Sequence, residues 1–364
     1  MGKNLSFKKI GKQILSINNL IESYFNKLRS FISNPKKFQF TRDNRVIFVF
    51  AGIVFLTLAY FLVPTAYNKD LIQKEIKNQL FLTYKIRIEF SDEIKINTDL
   101  LVIGVSSKGI EWIGNEISKF YKPSIDILLL TKGLAVINDK FETLAEKLNN
   151  ILNNQGVSNA KISAVGGPCL ANGLANRINS SVVLANENID VVKKIGSMIS
   201  TEYYSTEYSV DLIGVEVCAA TKNIYSMLVG ASEGLSSNNL SNEIKKKYFL
   251  NTAASLVYKA VSEMKNLSKK LHGNEETAYG LAGLGDLHVS SAGGRNSKMG
   301  DYLGQGYKFT DAKAKFMKEI TVEGADLAFA IGPKILKEFK KEEFPLLISV
   351  IETICENKKL EINW

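Results

Sequence analysis

Val217-Cys-Ala-Ala-Thr-Lys-Asn-Ile-Tyr225 sets a single lysine inside an apolar frame. Val217, Ile224 and Leu228 recur at helical spacing, which predicts a buried amphipathic helix with Lys222 near its middle. Burial without a partner disfavours the ammonium and lowers its pKa, which makes a lysine an acid or base near neutral pH. A second outcome is open to such a residue: the side chain can run along the helix surface and reach water. Downstream, Gly280-Leu-Ala-Gly-Leu-Gly-Asp-Leu287 and Gly294-Arg-Asn296 bring a carboxylate and a guanidinium, groups that complement an ammonium and a phosphate.

Upstream of this helix the pattern is α/β. Leu100-Leu-Val-Ile-Gly-Val-Ser106 is a short apolar run of the kind buried in parallel sheets. Residues 109–121 read as a helix through Ile110, Trp112, Ile113, Ile117 and Phe120, and Asp126–Thr131 is the next strand, so that the three form one βαβ unit. Further strands are predicted at Lys161–Val165, Ser180–Ala185 and Tyr208–Ile213, with a helix at Asp190–Ile199. From Gly214 onward the periodicity is helical.

The N-terminal quarter differs in kind. The net charge is +9, and residues 1–45 alone hold ten Lys and Arg against Glu22 and Asp43, a net of +8. The remainder is close to neutral, which excludes a nucleic-acid-binding body. Residues 4–32 alternate basic and apolar positions, as in a helix lying on an anionic membrane surface or a solvated basic tail. Val46–Val63 is eighteen residues without a charge, flanked by Arg42 and Arg45. That length suits a transmembrane helix, and the flanking charge predicts a cytoplasmic N-terminus with residue 66 onward on the opposite side, whereas an active enzyme would need that part in the cytoplasm; a buried core helix reads the same way. Three scattered cysteines (Cys169, Cys218, Cys355) and two histidines predict no metal site and suit a reducing compartment.

Several motifs fall in order along the chain: Thr131-Lys-Gly133 at a strand end, Gly167-Pro-Cys-Leu-Ala171, Thr221-Lys-Asn223, Gly283-Leu-Gly-Asp286, Gly294-Arg-Asn296, Gly304-Gln-Gly306 and Val322-Glu-Gly324. In this order and spacing they resemble the NAD(P)-dependent glycerol-3-phosphate dehydrogenase family over residues 98–364. Departures are Leu170 in place of phenylalanine, Gly173 in place of glutamate, Thr221 in place of leucine, and Gly294 in place of serine. Residues 46–97 are weakly similar to the start of an AsmA-like membrane protein, through Leu62–Ile76 and Tyr84–Phe90.

The dehydrogenase resemblance implies a reaction and its residues. Lys222, Lys132 and Asp286 would be catalytic: Lys222 polarises and protonates a carbonyl oxygen, Asp286 anchors it, and Lys132 adds charge. Lys132, Gly167, Cys169, Asn223, Asp286, Ser290, Gly294, Arg295 and Asn296 would bind a phosphorylated triose, Arg295 as a planar fork for the phosphate. Lys132, Ala171, Arg295, Thr321 and Glu323 would meet NAD or NADP, which must supply the hydride. No G-x-G-x-x-G occurs in the 364 residues, so the turn that normally holds the dinucleotide's pyrophosphate is not present in that form. The expected architecture is α/β: a truncated Rossmann-like parallel sheet (98–207), then an all-α C-terminal domain (208–364). A basic segment (1–45), a single transmembrane helix (46–65) and an AsmA-like connection (66–97) precede them. The partners implied are a triose phosphate and, through 46–65, a membrane; no nucleic acid is expected, and a homodimer is left open. A fusion joined near Asn97, lacking activity, is the alternative to an enzyme.

Overall fold

The computed structural model describes residues 98–237 and 242–362, within one compact unit spanning Asn97–Trp364. The expected basic segment, membrane helix (46–65) and AsmA-like connection (66–97) lie outside the described residues.

The chain enters through β1 (Leu100–Ile103) and α1 (Ile110–Ser118) into β2 (Asp126–Leu129). A hairpin of β3 (Leu134–Ile137) and β4 (Lys140–Thr143) follows, then α2 (Leu144–Asn154), β5 (Lys161–Gly166), the short α3 (Ala171–Ala175) and β6 (Ser180–Ala185). Helix α4 (Ile189–Ile199) and β7 (Tyr204–Ser209) complete this half. The sheet order is β1-β2-β5-β6-β7. Alternation along the strands sends Ile127 and Leu129 to one face, against α1 and α2, and Leu128 to the other, with Val182, Leu184 and Ile195 of β6 and α4. Helices therefore cover both faces, as in doubly wound sheets.

Two expectations are corrected here. The sheet is not wholly parallel: β5 and β6 run antiparallel, with Ala164 opposite Ala185 and Gly166 opposite Val183. Only the five-residue α3 lies between them, not the crossover helix that parallel neighbours require. The last strand is Tyr204–Ser209, not Tyr208–Ile213, because the Asp211 carboxylate accepts the Gly214 N–H at 2.9 Å and turns the chain into a helix.

The second half is helical throughout the described residues: α5 (Leu212–Ser237), α6 (Asn242–Lys270), α7 (Asp286–Ser291), α8 (Arg295–Gly304), α9 (Phe309–Phe316), α10 (Glu323–Glu338) and α11 (Pro345–Cys355). Among the described residues α5 alone is long and apolar enough to cross a membrane, yet its apolar window is 89% buried. It is the axle of the core, with Val217, Ile224, Tyr225 and Leu228 fully enclosed.

Helices α5 and α8 touch backbone to backbone. A Cβ on Gly230 would overlap the Ser297 carbonyl, one on Gly300 the Met227 carbonyl, and one on Gly304 the Ala231 carbonyl. These three glycines let the helix bearing Lys222 lie directly against the helix that begins at Arg295.

Two buried carboxylates tie helices together by accepting the orphan N–H groups at a helix start. Glu216 of α5 accepts from Ala145 N at 3.2 and 3.3 Å, at the first turn of α2. Glu263 of α6 accepts from Leu346 N and Leu347 N at 2.7 and 2.8 Å, at the first turn of α11, and from the Tyr225 hydroxyl. Burial outweighs these bonds and raises the carboxyl pKa to about 8 for Glu216 and about 7 for Glu263.

Two outcomes are expected. Gly300→Ala should destabilise the fold by about 3 kcal/mol, seen as a lowered Tm, whereas alanine at the open Gly293, with its positive φ, should act only locally. Because its folded pKa is raised from 4.5 to about 8, Glu216 contributes stability that is full below pH 4.5 and lost as pH rises towards 8. Denaturation across that window should show Glu216→Gln with a flatter pH dependence than the parent; identical slopes would refute the assignment.

Candidate active site

The site grows from the ends of two strands and the starts of two helices. After β2 the Thr131 hydroxyl donates to the Val105 carbonyl at 2.6 Å, pinning the post-β2 turn to the post-β1 turn and fixing the base of Lys132. Opposite, the chain passes through a π-helical turn, Leu281–Gly285, before Asp286 opens α7. Gly283 is required there, since a Cβ would overlap the Ala278 carbonyl. Gly167, at φ 138°, packs against the Val182 backbone, and the following Pro168 rests 3.4 Å from where a Cβ on Gly285 would sit.

These elements converge on Asp286, which is 2% exposed. Its Oδ1 takes the Lys222 ammonium at 2.8 Å and its Oδ2 the Lys132 ammonium at 2.6 Å. Lys222 also donates to the Ser290 hydroxyl at 2.6 Å, one turn along α7. Burial, with the Lys132 charge adding to it, pulls the Lys222 pKa below its ordinary value, and Asp286 pulls the other way. The lysine does not snorkel; it is held in the interior with one face open to a cleft. Two ammonium groups share one carboxylate, so this corner carries an excess positive charge suited to a developing alkoxide.

A second network lies beside it. Asn296 Nδ2 donates to Asn223 Oδ1 at 3.1 Å, and Asn296 Oδ1 accepts the Gly324 N–H at 2.9 Å. The pair locks α5, α8 and the start of α10 together. Arg295, at the first position of α8 after Gly294, is about half exposed and pairs with Glu323 at 2.7 Å.

The cleft, of about 570 Å³, lies outside the carboxyl ends of β1 and β2, where open α/β sheets take their ligands. Lys132, Lys222, Asn223, Thr321 and Glu323 line it. Asp286, Ser290, Arg295 and Asn296 bond to lining residues without lining it themselves, and Gly167, Gly294, Cys169 and Ala171 stand apart from it. Cys169 packs against the apolar cluster beneath β6, and Ala171 is exposed at the start of α3. Lining residues that the motifs did not flag are Lys108 after β1, Lys147 on α2 and Asp326 on α10. The first of these carried a signal, because Ser107-Lys108 immediately follows the predicted strand Leu100–Ser106.

Comparison with known proteins matches this geometry to a family. Residues 211–363 match the model described as NAD-dependent glycerol-3-phosphate dehydrogenase C-terminus, and residues 70–192 match its N-terminus counterpart. The NADP(+)-dependent glycerol-3-phosphate dehydrogenase of Archaeoglobus fulgidus is 30% identical over 273 residues, 73% of this chain and 76% of that protein. The chain belongs to the NAD-dependent glycerol-3-phosphate dehydrogenase family. A Clostridium botulinum glycerol-3-phosphate dehydrogenase [NAD(P)+] is 29% identical over 78% of this chain and 80% of its own length. In fold, this glycerol-3-phosphate dehydrogenase family member is similar to the solved Coxiella burnetii enzyme (TM-score 0.59, 24% identity, 72% and 74% of the two chains). It is also similar to GPD1 of Saccharomyces cerevisiae (TM-score 0.62, 18% identity, 73% and 74%). The N-terminal match begins at residue 70 and crosses Asn97 unbroken. That corrects the expected fusion: Asn97 is not an edge of the family match, and an AsmA-like origin for 66–97 finds no support in these comparisons.

Lys132, Lys222, Thr321 and Glu323 line one cleft outside the strands, a set of donors and acceptors that would suit the carboxamide of a nicotinamide. Asp286→Asn should leave Lys222 beside Lys132 without a counterion and lower the Lys222 pKa further. Lysine-resolved NMR titration would show this as a midpoint displaced to lower pH; an unmoved midpoint would mean that the carboxylate does not hold the pair.

Proposed function

We propose that the chain reduces dihydroxyacetone phosphate to sn-glycerol 3-phosphate with NADH or NADPH, and runs the reverse reaction when product is in excess. The observation that carries this reading is the triangle of Lys222, Asp286 and Lys132, a buried carboxylate holding two lysines that line the cleft. When bound in the cleft lined by Lys132, Thr321 and Glu323, a dihydronicotinamide would supply the hydride for the carbonyl carbon. Lys222 supplies the proton that goes to the carbonyl oxygen, and its lowered pKa makes that transfer easier near neutral pH. Lys132 keeps a second positive charge close to the same oxygen, and Ser290 holds the Lys222 amine in line. Asp286 does not react; it sets both lysines and offsets part of their repulsion. Arg295 leaves its exposed pair with Glu323 to take the phosphate in a forked grip, which an exposed ion pair worth at most about 1 kcal/mol does not prevent. Gly294, at the N-cap of α8, lets the phosphate approach the helix start. Asn223 and Asn296 hold the floor beneath the substrate through their mutual bond.

A membrane-spanning segment at 46–65 would tether this activity to a bilayer; use of the nicotinamide pool requires the catalytic part in the cytoplasm, against the orientation that Arg42 and Arg45 favour, and the product is a precursor of glycerophospholipids. Protease digestion of intact and opened cells, read with an antibody to the C-terminus, locates that part; cleavage in intact cells would place it outside and oppose the reading.

The decisive assay is NADH and NADPH oxidation by the purified full-length chain on adding dihydroxyacetone phosphate. Turnover is expected with at least one cofactor, and its absence with both would overturn the proposal. Lys222→Met should lower kcat by roughly 10²–10⁴-fold, and Arg295→Ala should act mainly on KM for the phosphorylated substrate. The reduction rate should fall on the alkaline side, through a pKa below the ordinary lysine value of 10.5.

A further inference from the structure

The cleft carries more positive charge than the catalytic corner uses. Four lysines line it, Lys108, Lys132, Lys147 and Lys222, against two carboxylates, Glu323 and Asp326. Lys132 and Lys222 are committed to Asp286. Lys108 and Lys147 are not. Lys108 makes one loose contact, 3.6 Å to Asp326, with its side chain 83% exposed. Half-buried Lys147 has no hydrogen-bond or ion-pair partner among the described residues. Both belong to segments that meet at one point: a Cβ on Gly133 would lie 3.1 Å from Leu144, one turn before Lys147, and 3.4 Å from Ser107, next to Lys108. The hydroxyl-bearing pair Ser106 and Ser107 lines the same stretch.

The chain also lacks the glycine-rich turn that ordinarily takes a dinucleotide's diphosphate on backbone N–H groups. A diphosphate left without that turn needs other donors, and ammonium groups are the strongest available as point charges. We propose that Lys108 and Lys147 form a second anion-binding pole of the cleft that grips the diphosphate of the nicotinamide nucleotide, in place of the missing turn. Asp326, one turn into α10, competes for Lys108 and so tunes this pole. The inference rests on the proposed function for the identity of the nucleotide, but not for the location of the charge.

The test is direct binding to the full-length chain. NADH and NADPH are titrated by nicotinamide fluorescence, and sn-glycerol 3-phosphate by calorimetry. In the double variant K108A/K147A, nucleotide affinity should fall roughly tenfold or more per lysine lost, while glycerol phosphate affinity stays at the parent value. The charge-retaining K108R/K147R should keep nucleotide affinity, and Asp326→Asn should tighten it. If the parent binds nucleotide and K108A/K147A binds it equally well, the second pole is refuted and the proposed function stands. If both ligands weaken together, the lysines act on the cleft as a whole and the inference is again refuted. A parent chain that binds glycerol phosphate but neither nucleotide would overturn the cofactor reading itself.

Discussion

One buried carboxylate holding two ammonium groups at the edge of a cleft is the constraint around which the structure is arranged. Asp286 can do this only because the backbone arrives there through a π-helical turn, with Gly283 pressed against Ala278, and because Lys132 and Lys222 come from opposite halves of the fold. Without the carboxylate, burial and the neighbouring ammonium would pull the Lys222 pKa lower still, and the two lysines would repel each other. The shared arrangement leaves them charged in excess by one. That surplus is the property a carbonyl oxygen needs as it gathers negative charge.

The parts that frame the corner are fixed by other means. Glu216 and Glu263 each close the start of a neighbouring helix from inside the protein, joining α5 to α2 and α6 to α11. The β3–β4 hairpin, between Lys132 and α2, is fastened at its tip by Lys334, which reaches Asp139 at 3.2 Å while lying over the Phe141 ring. Lys132 is thus held by the sheet behind it and by a hairpin docked onto α10.

Much of this could be read from residue order. The apolar runs located β5 and β6 to within a residue and found the starts of β1 and β2 while overrunning their ends by three and two residues, since buried strands leave uninterrupted hydrophobic signatures. Lys222 was legible because a charge in an apolar period is costly, and Asp286 through the resemblance of Gly283-Leu-Gly-Asp286 to the family's motif. The hairpin and α2 were not. Their signals are local and polar: Asn138 and Asp139 both take positive φ in the tight turn, and Thr143 with Glu146 forms a capping box, none of which interrupts an apolar period. The antiparallel β6 was equally hidden, because direction leaves no trace in composition. Partnerships at the site also escape a linear reading. Nothing in the order of residues says that Asn296 bonds Asn223, or that Cys169, next to a glycine-proline turn, packs away from the cleft.

The glycine contacts between α5 and α8 have a consequence for selectivity. With Gly230, Gly300 and Gly304 leaving no side chains between the two helices, neither can slide or tilt without main-chain collision. The amine on one helix and the guanidinium at the head of the other are therefore mounted on a common rigid gauge. On the proposed function, that span rather than any single pocket wall would set how many carbons can separate a ketone from its phosphate.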